Sequence, residues 1–285
     1  MGPGRKYKIS STVMEDSEGV QFLQWCLPKL HLRWAGFRKV RRQVYKRINR
    51  RVKELGLSEF VDYRTYLDVH PEEWSVLETL CWISISRFYR DLGVFQYLER
   101  KVLPDLARKA VTGAEAELRC WSIGCAAGEE TYTLAILWKL RLMSQFPSLT
   151  MRILATDIDP QAIVRAERGC YPASSVKDLP AELLTEAFVT SADGFCVKEE
   201  YREPVTFQLH DILESVPEGS FHLILCRYLI FTYFEEELQR ATLEKILANL
   251  ATGGALVIGN TESLPEGVPG LDVWDQKMGV YRKSG

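Results

Sequence analysis

No uninterrupted apolar run approaches the roughly 18–20 residues that a bilayer-crossing helix requires, so a helical membrane protein is excluded as a reading. There is no C-x-x-C pair, and the seven cysteines (26, 81, 120, 125, 170, 196 and 226) are odd in number and scattered. Reduced thiols fit that distribution better than a disulfide scaffold or a zinc cage. The four histidines, at 31, 70, 210 and 222, form no ligand-spaced cluster, so no metal site is expected. The opening MGPGRKYKIS lacks the apolar stretch of a secretory leader, and Lys6 stands where a myristoylation signal wants Ser or Thr. A cytoplasmic location is the resulting expectation. Internal repeats and low-complexity segments are also missing. What remains is an ordinary folding composition: 285 residues, 46% hydrophobic and 26% charged, enough for one large domain or two modest ones.

Net charge is also small, −2, but it conceals a split. Between Pro28 and Leu55 eleven Lys or Arg residues face the single acid Glu54, a local +10, so the rest of the chain carries −12. Phe37, Val40, Val44, Ile48, Val52 and Leu55 recur at helical spacing, which predicts one amphipathic helix over 36–55. Lys39, Arg42, Lys46, Arg50 and Lys53 fall opposite that stripe, with Arg38 and Arg47 flanking it and Arg41 and Arg51 at its edge. Further helices are expected from Ser58 and from Pro71. Residues 1–92 therefore read as a small all-helical domain with a basic helix.

After Pro104 the pattern changes. Short β-rich runs at 118–123, 151–156, 205–209, 221–226 and 255–259 alternate with amphipathic stretches, and a closing hairpin follows near 271–283. Alternation of this kind implies βαβ units on a mainly parallel sheet. The second domain, 93–285, is expected to be a doubly wound α/β fold.

Ligands of such sheets bind beyond the carboxyl ends of the strands. Two features fall there. Gly124 to Gly128, with two alanines between, forms a loop open to close backbone approach. Asp157 ends the second strand, before a helix start formed by Asp159 as N-cap and Pro160 at the first helical position. The loop carries no Lys and runs into Glu129 and Glu130, the opposite of a phosphate cradle. A ligand with an ammonium and a ribose suits these residues, and S-adenosylmethionine (SAM) has both.

Read in order, Ser86-Arg87-Phe88-Tyr89-Arg90-Asp91, Val102-Leu103-Pro104, Trp121 to Ala135, Ala155-Thr156-Asp157-Ile158-Asp159, Leu225-Cys226-Arg227 and Gly253-Gly254 with Gly259-Asn260-Thr261-Glu262 form one series of motifs. That series resembles the CheR family, SAM-dependent methyltransferases that esterify glutamates of chemoreceptors. The resemblance implies a Rossmann-like class I methyltransferase domain behind a helical domain, with a small β-subdomain inserted near 189–205. It also implies cofactor contacts at Ser84, Ser86, Arg90, Gly124, Glu130, Asp157, Asp211, Ile212, Tyr228 and Leu229. Arg90 and Tyr233 are the implied catalytic pair, and S-adenosylhomocysteine (SAH) the product. Ser84 and Ser86 stand where the family usually has Asn and Thr, and Tyr228 stands where it usually has Asn.

The expected reaction is methyl transfer to a carboxylate of an acidic protein partner, such as chemoreceptor cytoplasmic helices docked on basic helix 36–55. Other acceptors (RNA, another protein, a small molecule) and a non-catalytic SAM-binding regulator stay open on the residues alone. Against RNA, no set of stacking aromatics interleaves with the cations. A nicotinamide enzyme would need G-x-G-x-x-G with its ribose acid about twenty residues on, whereas Gly124 and Asp157 lie thirty-three apart.

Overall fold

Helical spacing is realised first in the N-terminal part, where the apolar stripe of the basic segment becomes a core. In the computed structural model, residues 10–285 are described, with side chains from Glu18 onward. The expectations placed on the first nine residues lie outside the described residues. The chain divides into two compact units, one running up to Ile83 and taking in Thr232–Glu235, the other holding Ser84–Phe231 and Glu236–Gly285.

The first unit contains helices Ser10–Cys26, Arg41–Glu54, Phe60–Val69 and Glu73–Cys81. Val44, Ile48 and Val52 are buried against Phe22, Leu23, Tyr63, Leu67 and Leu77. The expected single basic helix is broken. Trp34–Phe37 forms one short turn, and the main helix starts only at Arg41. The reason is a crossing chain: Arg33 N–H donates to the Tyr233 carbonyl (2.8 Å) and Glu235 N–H to the His31 carbonyl (3.0 Å). A Cβ on Gly36 would come within 2.2 Å of the Thr232 carbonyl oxygen. The next two helices also start later than expected, at Phe60 behind a Glu59–Asp62 capping box and at Glu73.

Two cations of the basic segment point inward. Arg51 grips Glu73 with both fork arms (2.9 and 2.8 Å), and the Tyr63 hydroxyl donates to the same carboxylate at 2.8 Å. Arg47 donates to the carbonyls of Leu80 and Trp82. Arg38, Lys39, Arg42, Lys46, Arg50 and Lys53 remain exposed.

The second unit is built on ten strands: β1 Glu117–Ile123, β2 Thr150–Asp157, β3 Cys170–Tyr171, β4 Phe188–Ser191, β5 Gly194–Val197, β6 Val205–Leu209, β7 Phe221–Cys226, β8 Leu250–Ile258, β9 Leu271–Asp275 and β10 Val280–Lys283. Seven of them form one sheet in the order β6-β2-β1-β7-β8-β10-β9. The strands from β6 to β8 pair in parallel, and β10 pairs antiparallel with both β8 and β9. Strand order reverses between β1 and β7, which sets a crevice at their carboxyl ends. β7 is buried at every position, as befits a central parallel strand covered on both faces. The unit boundary falls at Ser84 rather than after residue 92, because the segment after Ser84 is held by the second unit. Phe88 N–H donates to the Ser175 carbonyl (3.0 Å), and the Phe88 ring meets Tyr171 and Phe188 edge-on.

The small antiparallel sheet, in the order β3-β5-β4, spans 170–197 and so lies earlier than the expected 189–205. It also overturns the expectation that all seven cysteines are reduced. Cys170 opposes Cys196 in the strand register and is bonded to it, with Cα atoms 4.0 Å apart. A separation of 26 residues gives no hint of that opposition. The other five cysteines are free and buried. Among the described residues, no helix is long and apolar enough to cross a membrane.

Glu73 is almost fully buried, and the Arg51 guanidinium holds its carboxyl below the usual glutamate range, against the opposing effect of burial. Removing one partner of a buried pair leaves an uncompensated charge, which costs about 3–5 kcal/mol when both are fully buried. Arg51 keeps some contact with water, so Arg51→Met is expected to destabilise the protein by about 2–4 kcal/mol in chemical denaturation. A folded-state pKa below the unfolded one contributes stability above the unfolded pKa, and that stability disappears as pH falls through the folded value. The wild-type advantage over Arg51→Met should therefore shrink in acid, below the ordinary glutamate range, and stay flat around neutrality.

Candidate active site

At the carboxyl edge of β1 the chain must turn sharply into helix Glu129–Leu137, and it does so through three left-handed residues: Gly124 (φ 66°), Ala126 (φ 50°) and Gly128 (φ 88°). A side chain at Gly124 would be strained by the left-handed backbone, and its Cβ would lie 2.6 Å from Leu229 Cδ2. A Cβ on Gly128 would lie 3.0 Å from the Phe207 ring. The loop is pinned from three sides. Cys125 N–H donates to the Thr156 carbonyl (2.9 Å), Ala126 N–H to Asp157 Oδ2 (2.7 Å), and the Tyr171 hydroxyl to the Ala127 carbonyl (2.6 Å).

Asp157 sits at the tip of β2 as expected from the sequence, with Asp159 capping helix Pro160–Arg168 through the Gln161 N–H (2.8 Å). Its carboxylate is already engaged. One oxygen holds the loop at Ala126 and the other accepts from Asp159 N–H at 2.9 Å. Burial raises its carboxyl above the usual range, while those backbone donors pull it back. Each oxygen keeps a second lone pair, so the carboxylate can hold the loop and still accept from a ligand.

The remaining expected residues occupy neighbouring strand ends. Asp211 follows β6, where its Oδ1 accepts from Leu213 N–H (2.8 Å), and Ile212 beside it is buried. His210 N–H donates to the Asp157 carbonyl (2.9 Å), tying the exit of β6 to that of β2. Tyr228 and Leu229 follow β7, and Ser84, Ser86 and Arg90 lie on the irregular segment before helix Leu92–Tyr97. Tyr233 is placed differently. It belongs to the first unit, where its ring packs on Phe37 with centroids 5.0 Å apart.

Arg227 stands in the sequence only as one member of a motif, yet it organises the site. Its side chain is 2% exposed, and it pairs with Asp91 Oδ2 and Glu130 Oε2, both at 2.6 Å. It also donates to the Arg90 carbonyl (3.1 Å). Burial works against its charge, but Glu130 and Asp91 more than restore it. Asp91 and Glu262 were likewise unassigned. Glu262 Oε2 accepts from both Tyr228 N–H (2.8 Å) and Gly259 N–H (2.6 Å). The available signal was an arginine ending an otherwise apolar strand, since an ion in that setting must be paired.

Residues 84–278 match the CheR methyltransferase SAM binding domain. The chain belongs to that family. A chemotaxis protein methyltransferase of Listeria innocua is 32% identical over 186 residues, 65% of this chain and 68% of its own length. One of Borreliella burgdorferi is 30% identical over 226 residues, 78% of this chain and 80% of its own. An uncharacterized 104.1 kDa protein of Rhodobacter capsulatus is 32% identical over 226 residues, which make up 78% of this chain but only 23% of that protein. The protein is thus a SAM-dependent methyltransferase of the CheR family.

The residues present fit that cofactor. Glu129 Oε2 is buried with no partner, its carboxyl is raised by burial, and Ser86 hydrogen-bonds to the same side chain. Asp91, Glu129, Glu130, Asp157 and Asp211 outnumber the site's two guanidiniums, Arg90 and Arg227, so the crevice favours a cationic guest. Glu130, expected to contact the cofactor, reaches the crevice already bound to Arg227.

Because Asp157 holds two backbone donors, Asp157→Ala should loosen the loop even without ligand. Charge-assisted hydrogen bonds contribute about 1.5–3 kcal/mol, and about 2 kcal/mol in a unit of this size corresponds to a Tm drop of roughly 4–8 °C. Differential scanning calorimetry of the ligand-free protein measures it.

Proposed function

We propose that this protein is a protein-glutamate O-methyltransferase that esterifies side-chain carboxylates of a chemoreceptor-like partner in the cytoplasm. The reading rests on the CheR match of residues 84–278 laid over strand-end loops that carry Glu129, Glu130, Asp157 and Asp211, with no lysine from Gly124 to Glu130. Related chains carry the name chemotaxis protein methyltransferase, and the same acceptor class is inferred for this one.

Bound SAM supplies a methyl group on a sulfonium. A glutamate acceptor is ionised at neutral pH, so no general base is required. With SAM bound, one oxygen of the acceptor carboxylate would take the methyl group, the electron pair of the broken sulfur–carbon bond staying on the sulfur of SAH. The protein's task is orientation and exclusion of water, which can lower such a barrier by about 7–11 kcal/mol. In this reading Asp157 accepts from the ribose hydroxyls through its unused lone pairs, and Asp211 and Ile212 line the adenine end. Glu129 and Glu130 supply negative charge for the cofactor ammonium, and Gly124 and Leu229 give the loop its close approach. Ser84 and Ser86 offer hydroxyls in place of the family's amide and threonine. Arg90 orients the reacting carboxylate, and Tyr233 keeps the catalytic role that the family resemblance implies. Arg38, Lys39, Arg42, Lys46, Arg50 and Lys53 form the docking stripe for an acidic helix, while Arg47 and Arg51 hold the fold.

Incubation with methyl-labelled SAM and a receptor cytoplasmic fragment should give label that mild base releases. Label that resists base, as an N-methyl group does, overturns the glutamate assignment. The double reversal Lys46→Glu/Arg50→Glu should raise KM for the protein acceptor roughly tenfold and leave SAM affinity unchanged, because rim charges act on partner encounter. Binding of the wild type to RNA with a steep salt dependence, together with no base-labile transfer, would favour the nucleic-acid acceptor instead.

A further inference from the structure

Tyr228 occupies a position whose backbone is left-handed (φ 55°), a conformation costly for a bulky residue. It is held there by the Glu262 carboxylate, which accepts its N–H at 2.8 Å. The phenol donates to Asp91 Oδ2 at 2.5 Å and lies 2.6 Å from Asn260 Oδ1. The ring packs on Gly259, where a Cβ would come within 2.6 Å of it. Burial and the neighbouring Asp91 carboxylate push the phenol pKa up to about 12, so it stays a donor at neutral pH. A side chain held at this many points is a rigid platform.

What rests on the platform is Arg90. Its guanidinium carbon lies 3.9 Å from the Tyr228 ring centroid, and Nη1 donates to the Ile85 carbonyl at 2.9 Å. Its backbone is fixed as well, through the Arg227 bond to its carbonyl. Arg90 is therefore held by its own main chain, by one carbonyl and by an aromatic face. None of these contacts engages Nε or Nη2.

We propose that Tyr228 is a positioning residue: its ring fixes the Arg90 guanidinium so that the remaining donors meet a ligand carboxylate. That carboxylate belongs either to the cofactor's amino-acid end or to the methyl acceptor. A cation over an aromatic face gains modestly at exposed sites and more when water is excluded, and pre-organisation removes the cost of ordering a long flexible side chain on binding. The proposal rests on the methyltransferase reading for the ligand's identity, while its geometry stands apart from the choice of acceptor.

The test is a double-mutant cycle between Arg90→Ala and Tyr228→Leu, with SAH affinity by calorimetry and KM for the protein acceptor as readouts. Arg90→Ala identifies the source of the carboxylate. A cofactor carboxylate gives weaker SAH binding with 5′-methylthioadenosine binding unchanged; an acceptor carboxylate gives a raised KM with SAH binding unchanged. Tyr228→Leu should weaken the same quantity three- to tenfold, yet change it less than twofold in the Arg90→Ala background. Tyr228→Phe, which keeps the ring but loses the phenol's bonds to Asp91 and Asn260, should weaken the same quantity less than Tyr228→Leu does; a loss as large as that of Tyr228→Leu overturns the role of the ring. Tyr228→Asn suits the left-handed backbone and is the second variant should Tyr228→Leu fail to fold; it should give the same loss and the same coupling. Additive losses, or Tyr228 variants that match wild type in both readouts while Arg90→Ala does not, overturn the proposal. Wild-type protein that binds SAH but yields no base-labile ester overturns the acceptor reading alone and leaves the SAH arm of the cycle intact.

Discussion

A guanidinium buried at the end of a central strand has to be neutralised where it lies, and in this protein that requirement assembles the catalytic edge. Arg227 follows six buried residues of β7 and draws in Asp91 from the segment before helix Leu92–Tyr97 and Glu130 from the first turn of helix Glu129–Leu137. Moving such a charge out of water costs several kcal/mol even after relaxation, and only close, well-directed carboxylates offset it. The elements carrying Arg90, the glycine loop and the β7 exit are consequently tied to one point. A hydrophobic residue at 227 could satisfy the strand, but it would leave Asp91 and Glu130 with no reason to converge.

The same edge concentrates conformational strain. Of the six non-glycine residues described with positive φ, four (Tyr89, Asp91, Ala126 and Tyr228) belong to the loops around this crevice. Such residues persist only where their surroundings over-determine them. Here Asp157 grips the Ala126 N–H, Glu262 the Tyr228 N–H, and Arg227 the Asp91 carboxylate. Carboxylates thus serve two purposes in the second unit. They hold backbone amides in unusual conformations, and they make the crevice electronegative for a cationic cofactor.

Much of this was legible in one dimension. Short β-rich runs located the strands of the main sheet to within a residue or two at most ends, because each run is bounded by polar loops. The loop with Gly124 and Gly128, and Asp157 with its Asp159 cap, were readable because glycine tolerance and capping chemistry are local. The basic stripe was legible as a helix face, but not the division of its cations. Arg41 and Arg51 look alike in sequence, both at the edge of the apolar stripe; only the approach of Glu73 and Tyr63 from other helices makes Arg51 structural. The Cys170–Cys196 bond was invisible for the same reason, since strand register and not spacing brought the two sulfurs together.

By itself, the sequence determined the order of helices and strands, the parallel sheet with its carboxyl-end crevice, the family, and the acid-rich character of the loops. The elements, the sheet and the acid-rich loops follow from periodicity and local conformational preference, and the family follows from the resemblance of the motif series to CheR chains. Tertiary structure alone decided that Arg227 is the hub, that both Asp157 oxygens are partly committed to backbone amides, that Tyr228 lies under Arg90, and that Tyr233 packs with the helical unit. Each of these depends on a partner far away in the chain, and hydrogen bonds and ion pairs act over a few ångströms of space, a distance that sequence separation does not encode.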